Sequence, residues 1–155
     1  MCIRDRIKNV KHLDPADSST PEVIQIETAM GAAIEVFAGA LTIEVGRDRF
    51  VPVKTTNDLL VLRSDVYDIG SDFVLDQASV DIPFVDLDDE HYKLVEDFDK
   101  RFQAGVPSLK DADSFVVSGD WTFGSGVRVH GNARLEGKRG QVDSGAVLGE
   151  DEASE

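Results

Sequence analysis

Cysteine is almost missing from this chain. The one present, Cys2, has no second cysteine to pair with, so no internal disulfide can form and a reducing compartment, the cytoplasm, is expected. Positive charge is scarce as well, with 16 Lys and Arg against 30 Asp and Glu and a net charge of −14. Proteins that hold nucleic acid neutralise phosphates with basic faces, so this balance argues against a nucleic-acid partner. No apolar run approaches the roughly 20 residues of a membrane-spanning helix and no secretory signal is visible, so no membrane partner is expected. The 3 histidines and the lone cysteine fall at no metal-ligand spacing, so no zinc site, and no metal held by this chain, is expected. What remains is an ordinary composition, 41% hydrophobic and 30% charged over 155 residues, enough for one domain or a small domain with an appendage.

The residues that carry chemistry sit where a strand pattern gives way to a helix pattern. Phe50, Val51 and Val53 are β-formers, with Pro52 suited to an edge. Thr55 or Thr56 can then cap a helix whose first turn holds Asn57 and Asp58 and whose apolar run is Leu59, Leu60 and Leu62, ending near Tyr67. Lys54 therefore stands beside a helix N-terminus, where backbone N–H groups attract anions and a compact ammonium suits phosphate.

Around this stretch the pattern alternates. Asp14 to Pro21 is a cluster of turn formers that predicts a loop. Val23 to Ile26 predicts a short strand, and Ile26, Ala29, Met30, Ala33, Ile34 and Phe37 recur at helical spacing up to Gly39. Glu27 and Thr28 would open that helix as a first-turn charge and a cap. Ile43 to Val45, Phe50 to Val53, Phe73 to Leu75 and Phe84 to Leu87 predict strands. Leu94, Val95, Phe98 and Phe102 predict a helix closed by Gly105 and Pro107. Alternating strands and helices point to an α/β fold. His91 reads as a surface or capping residue, and His12 and His130 as structural.

From Phe115 the period changes to six. Val117, Phe123, Val129 and Leu135 form one register and Phe115, Trp121, Val127 and Ala133 a second, with Gly119, Gly131 and Gly137 two residues after the first. Hexapeptide repeats of this kind predict a β-helix of about two coils with an irregular cap. The acidic run 150–155 reads as a disordered tail. Few coils and a like-charged end predict a monomer or weak dimer.

Several motifs occur together in one order: I-K-N-V-K at Ile7 to Lys11, V-I-Q-I-E-T-A-M-G-A-A-I at Val23 to Ile34, V-K-T-T-N-D-L-L at Val53 to Leu60, R-S-D-V-Y at Arg63 to Tyr67, H-Y-K at His91 to Lys93 and G-V-P-S-L at Gly105 to Leu109. The series resembles the eukaryotic-type UDP-glucose pyrophosphorylases, or UTP–glucose-1-phosphate uridylyltransferases, with Val10 where that family has proline. The resemblance covers Ile7 to Gly149. Met1 to Arg6, M-C-I-R-D-R, lies outside it, resembles a translated sequencing adapter, and is set aside as an artefact of residues 1–6.

The resemblance implies that the chain is the C-terminal part of a nucleotidyltransferase. Residues 7–82 would close a Rossmann-like, GT-A-like α/β domain, 83–110 would connect, and 111–149 would form a short left-handed β-helix. It implies UTP and glucose 1-phosphate as substrates, UDP-glucose and pyrophosphate as products, and Mg2+ bound by residues absent here. Lys54 falls on the family's phosphate-contacting lysine, and Lys11 is a second candidate for substrate binding. The family's nucleotide loop and magnesium aspartate have no counterpart here, so the chain alone is expected to be inactive. Two other classes stay open: a hexapeptide-repeat acyltransferase, for which His130 is the one candidate base, and a non-catalytic oligomerisation or interaction module.

Overall fold

The computed structural model describes residues 6–15, 17–28, 34, 36–46, 50–71 and 74–149. The chain forms two compact units, Met1–Gly46 and Arg47–Glu155.

The first unit is built on an antiparallel pair, β1 (Arg6–Asp14) and β2 (Asp17–Thr28), in a register that sets Ile7 opposite Glu27, Val10 opposite Ile24 and Lys11 opposite Val23. Side chains alternate across a strand, so Val10, Ile24 and Ile26 share one face, and Asn9, Lys11, Gln25 and Glu27 share the other. The turn is tied locally, with the Thr20 hydroxyl donating to the Asp17 carbonyl at 2.7 Å and His12 Nδ1 donating to the Thr20 carbonyl at 2.9 Å. The loop expected over Asp14 to Pro21 is thereby shortened, and β2 begins at Asp17.

The helix predicted from Ile26 does not start there, because β2 continues through Thr28. Within V-I-Q-I-E-T the four residues Ile24 to Glu27 alternate apolar and polar while Ile26 also feeds the helical spacing, and the ladder to β1 decides between the two readings. Ala29 to Ala33 of that prediction lie outside the described residues, as do Met1 to Asp5, Phe73 and the tail 150–155, and its expected end, with Ile34 and Phe37 to Gly39, forms 3₁₀, bend and turn backbone instead of α-helix. Ile43 to Val45 and Phe50 to Val53 form no strand. Ile43 is 88% exposed, and β-branched residues favour a strand only when a neighbouring strand or layer covers them.

In the second unit α1 spans Thr56–Arg63, four residues short of the expected end, because Tyr67 enters β3 (Tyr67–Ile69) paired antiparallel with β4 (Leu75–Gln77). Next come β5 (Phe84–Leu87), α2 (Asp89–Tyr92), α3 (Val95–Arg101), β6 (Ser108–Phe123), β7 (Arg128–Val142) and β8 (Val147–Leu148). These last four strands make one parallel sheet in the order β5-β6-β7-β8. Phe115 pairs with Ala133 and Val117 with Leu135, so successive layers place the six-residue registers over one another. Phe115, Val117, Phe123, Val127, Val129 and Ala133 are buried in the core, and Trp121 and Leu135 pack against it half-buried.

The corners depend on glycine. Gly119 has φ +98°, and a Cβ there would run into the Gly137 carbonyl in the layer beside it. Its N–H is also used, donating to Asp88 Oδ2 at 2.7 Å. Gly126, at φ +64°, faces open space.

These two glycines give a paired expectation. Gly119→Ala combines a left-handed backbone with a collision of backbone against backbone and should cost about 3 kcal/mol or more, whereas Gly126→Ala should cost only the conformational term, about 1 kcal/mol. Urea unfolding of the two variants measures the difference, and equal losses would mean that the layers are not held in this close contact.

Candidate active site

The turn into α1 is fixed by one carboxylate. Thr55, in an extended conformation, is the N-cap, and Asp58, at the third helical position, completes a capping box with it. Asp58 Oδ2 accepts from the Thr55 N–H, the Thr55 hydroxyl and the Lys54 N–H, each at 2.9 Å. The Lys54 N–H is the largest cause of holding the Asp58 carboxyl below the usual aspartate range; burial opposes it, and the Thr55 bonds and the Lys54 charge add smaller pulls.

Two longer ties hold the helix itself. Asn57 Oδ1 accepts from the Leu87 N–H at 3.1 Å, fastening the first turn of α1 to β5. At the other end the Arg63 guanidinium donates to Asp99 at 2.6 Å and lies 5.6 Å over the Phe98 ring of α3. Leu60 and Val61 bury the inner face. The result is an exposed Lys54 at a helix start whose backbone is anchored on both sides. Phe50, Val51 and Pro52, which precede Lys54 in the chain, line a cavity of about 350 Å³ with Tyr67, Leu75 and Ile82.

Lys11 stands exposed on β1, on the face that also carries Asn9, Gln25 and Glu27, where Gln25 Nε2 donates to Glu27 Oε1 at 2.8 Å. It belongs to the first unit and Lys54 to the second. Glu27 is a strand residue, so its role as a first-turn helix charge is withdrawn.

His91 lies in the last turn of α2, with Asp88 and Glu90 offering ligand atoms within 4.8 Å of it and of each other. Asp88 is already engaged. Its Oδ1 accepts from the Glu90 N–H at 3.0 Å as the cap of α2, and its Oδ2 accepts from Gly119. Magnesium asks for near-octahedral oxygen ligands and keeps several waters. An imidazole beside one exposed glutamate and a carboxylate committed to two backbone donors does not fit that demand. Spacing alone could not reveal Asp88, because its partner in β6 lies 31 residues away. The Asp58 contact is local and was foreshadowed by T-T-N-D.

The sequence matches the protein family described as UTP–glucose-1-phosphate uridylyltransferase over residues 2–130. The chain belongs to this family. Among curated uridylyltransferases it is 40% identical over 141 residues to that of Hordeum vulgare, covering 87% of this chain and 29% of the relative. The Musa acuminata enzyme is also 40% identical, with 30% of its length covered. A crystal structure described as UDP-glucose phosphorylase from Trypanosoma brucei superposes with a TM-score of 0.78 at 41% identity, covering 95% of this chain and 33% of that one. A mutant UDP-glucose pyrophosphorylase from Leishmania major, crystallised with UDP-glucose, gives 0.73 at 42% identity, covering 92% and 31%. The chain thus spans about a third of the uridylyltransferases it matches. Among its described residues no helix is long and apolar enough to cross a membrane.

The lowered Asp58 carboxyl carries a pH signature. A group depressed in the folded state stabilises above its unfolded value, about 4, and loses that contribution as pH falls through the folded value. The cap of α1 should therefore contribute about 0.5–1 kcal/mol at pH 7 and fade as pH falls through and below the usual aspartate range. Thermal melts of the chain and of Asp58→Ala should differ at neutral pH and converge in acid; a constant gap across that range would rule out the carboxylate as the source.

Proposed function

We propose that this chain supplies the C-terminal part of a UTP–glucose-1-phosphate uridylyltransferase and that Lys54 is its phosphate-contacting residue. The observation that carries this is the conjunction of family membership with an exposed lysine held at an anchored helix start. In this reading residues 7–82 close a Rossmann-like nucleotidyltransferase domain and 83–110 connect. Residues 111–149 form a left-handed β-helix, supported by all-parallel pairing and inward six-residue registers, and 150–155 is an acidic tail. The assembly is a cytoplasmic monomer or weak dimer.

The chemistry joins two phosphates. A phosphate oxygen of glucose 1-phosphate attacks the α-phosphorus of UTP in line, a P–O bond forms, the α–β bridging P–O bond breaks, and pyrophosphate leaves with the electron pair. Charge builds on the leaving phosphates as the bridge stretches. An ammonium already placed beside them stabilises the transition state more than the ground state, and its geometry needs no reorganisation. Lys54 does this work in the proposal, and Lys11 makes a subsidiary contact to substrate. In this reading the nucleotide loop and the ligands of Mg2+ belong to the parent enzyme's other segments.

Two measurements test the proposal. The 155-residue chain alone should release no pyrophosphate from UTP and glucose 1-phosphate. A chimera in which this chain replaces the matching 141 residues of the barley enzyme should be active, and Lys54→Ala in it should lower turnover by about a hundred- to a thousandfold while raising the UTP KM less. Lys54→Arg should recover only part, because a planar fork does not occupy the place of an ammonium. Turnover of Lys54→Ala within about threefold of the parent chimera would make Lys54 an ordinary surface lysine.

A further inference from the structure

We infer that Asp58 is a positioning residue for Lys54, a role that rests on the phosphate contact proposed above. A capping box needs only the exchange between Thr55 and Asp58. Here the same oxygen, Asp58 Oδ2, also takes the N–H of Lys54, which lies outside the helix and one residue before its cap. That bond is not needed to satisfy a buried group, because Lys54 is exposed and water would serve its N–H equally well. It does fix the peptide plane from which the lysine side chain departs.

The Lys54 charge acts weakly on this carboxylate without forming an ion pair with it. Among the described residues Lys54 makes no ion pair, so its ammonium stays available to an anion. Three donors on Oδ2 offset the negative charge that would otherwise repel a phosphate at the same helix start. The Asn57 bond to Leu87 carries this turn on the parallel sheet, so the lysine is referred to a rigid element and not to a free loop.

The barley chimera separates positioning from simple capping. Gly126→Ala, a mild destabilising change at a residue outside the proposed phosphate contact, is the control, expected to show a fall in melting temperature comparable to that of Asp58→Ala. Asp58→Ala should lower kcat about ten- to a hundredfold, the scale of a misplaced catalytic group, with a smaller change in the UTP KM. Asp58→Asn, which keeps an acceptor oxygen, should fall between. Gly126→Ala should leave turnover unchanged. In the 155-residue chain, Asp58→Ala should also speed hydrogen exchange at the Lys54 amide. Asp58→Ala that melts early yet turns over within threefold of the parent, while Lys54→Ala collapses, would reduce Asp58 to a cap and overturn the inference. If Lys54→Ala itself is without effect, the phosphate reading fails first, whatever Asp58 does.

Discussion

Phe102 is the residue through which the second unit is joined. Its ring stacks on Phe123 at 4.8 Å and 15°, and meets Phe98 at 4.7 Å and Tyr92 at 5.9 Å. Phe115 closes the cluster edge-on to Phe123 at 5.8 Å. Each such pair adds about 0.5–1.5 kcal/mol beyond area burial, and together they bind the helical segment to the inward registers of β6. The Tyr92 hydroxyl finds its partner in the Trp121 carbonyl at 2.7 Å, and burial, the largest cause, pushes the phenol far above its usual range. Arg101 covers the same ring at 5.3 Å and reaches Asp120 at 2.8 Å. From Phe98 the connection continues to Arg63, and so along α1 to Lys54. The exposed Arg63–Asp99 pair by itself is worth little; its place over a buried ring is what gives α1 a fixed end.

A net charge of −14 and the phosphate contact proposed for Lys54 are compatible once distance is considered. At physiological salt the charges of exposed carboxylates fade over about 8 Å, so the potential at Lys54 is set by its own neighbours. Among the described residues those include the first N–H groups of α1, the ammonium, and a carboxylate already covered by three donors. The same screening lets the phosphate contact proposed for Lys54 stand beside an acidic balance that disfavours a long phosphate polymer, which would have to cross many acidic residues.

Local patterns were the legible part of this chain. Thr55, Asp58 and the leucines after them announced α1, and the six-residue registers announced which side chains of β6 and β7 enter the core, because both signals sit within a few residues of one another. The hairpin was misread for the opposite reason. Val23 to Thr28 satisfies strand alternation and feeds a helical spacing at once, and the choice belongs to Ile7 to His12, which no window on Val23 includes. Asp88 holding Gly119, and Asn57 holding Leu87, are likewise pairings across about thirty residues. Their residue types said only that they could cap. The Asp58 contact to Lys54 was within reach of the sequence, but a first-turn aspartate is ordinary, and only the geometry shows its oxygen serving the residue before the cap.

The two candidate lysines differ in what makes their positions definite. Lys54 stands on a unit with its own core, in which Leu60, Tyr92, Phe98, Leu109 and Phe115 are fully buried. Lys11 stands on a two-stranded ladder, and such pairs are marginal in water without a third strand or a covering layer. Its apolar face confirms the shortage, since Ile24 is 60% and Ile26 67% exposed. Ladder hydrogen bonds set the register of β1 against β2, but each contributes little net stability against water. A face that leaves isoleucines in solvent gains no hydrophobic stabilisation from its residues. The position of Lys54 is thus written into residues that this chain contains. That of Lys11 rests on a ladder whose Val10, Ile24 and Ile26 are exposed, which is why a role for Lys54 can be argued from bond to bond and one for Lys11 only from its place on a strand.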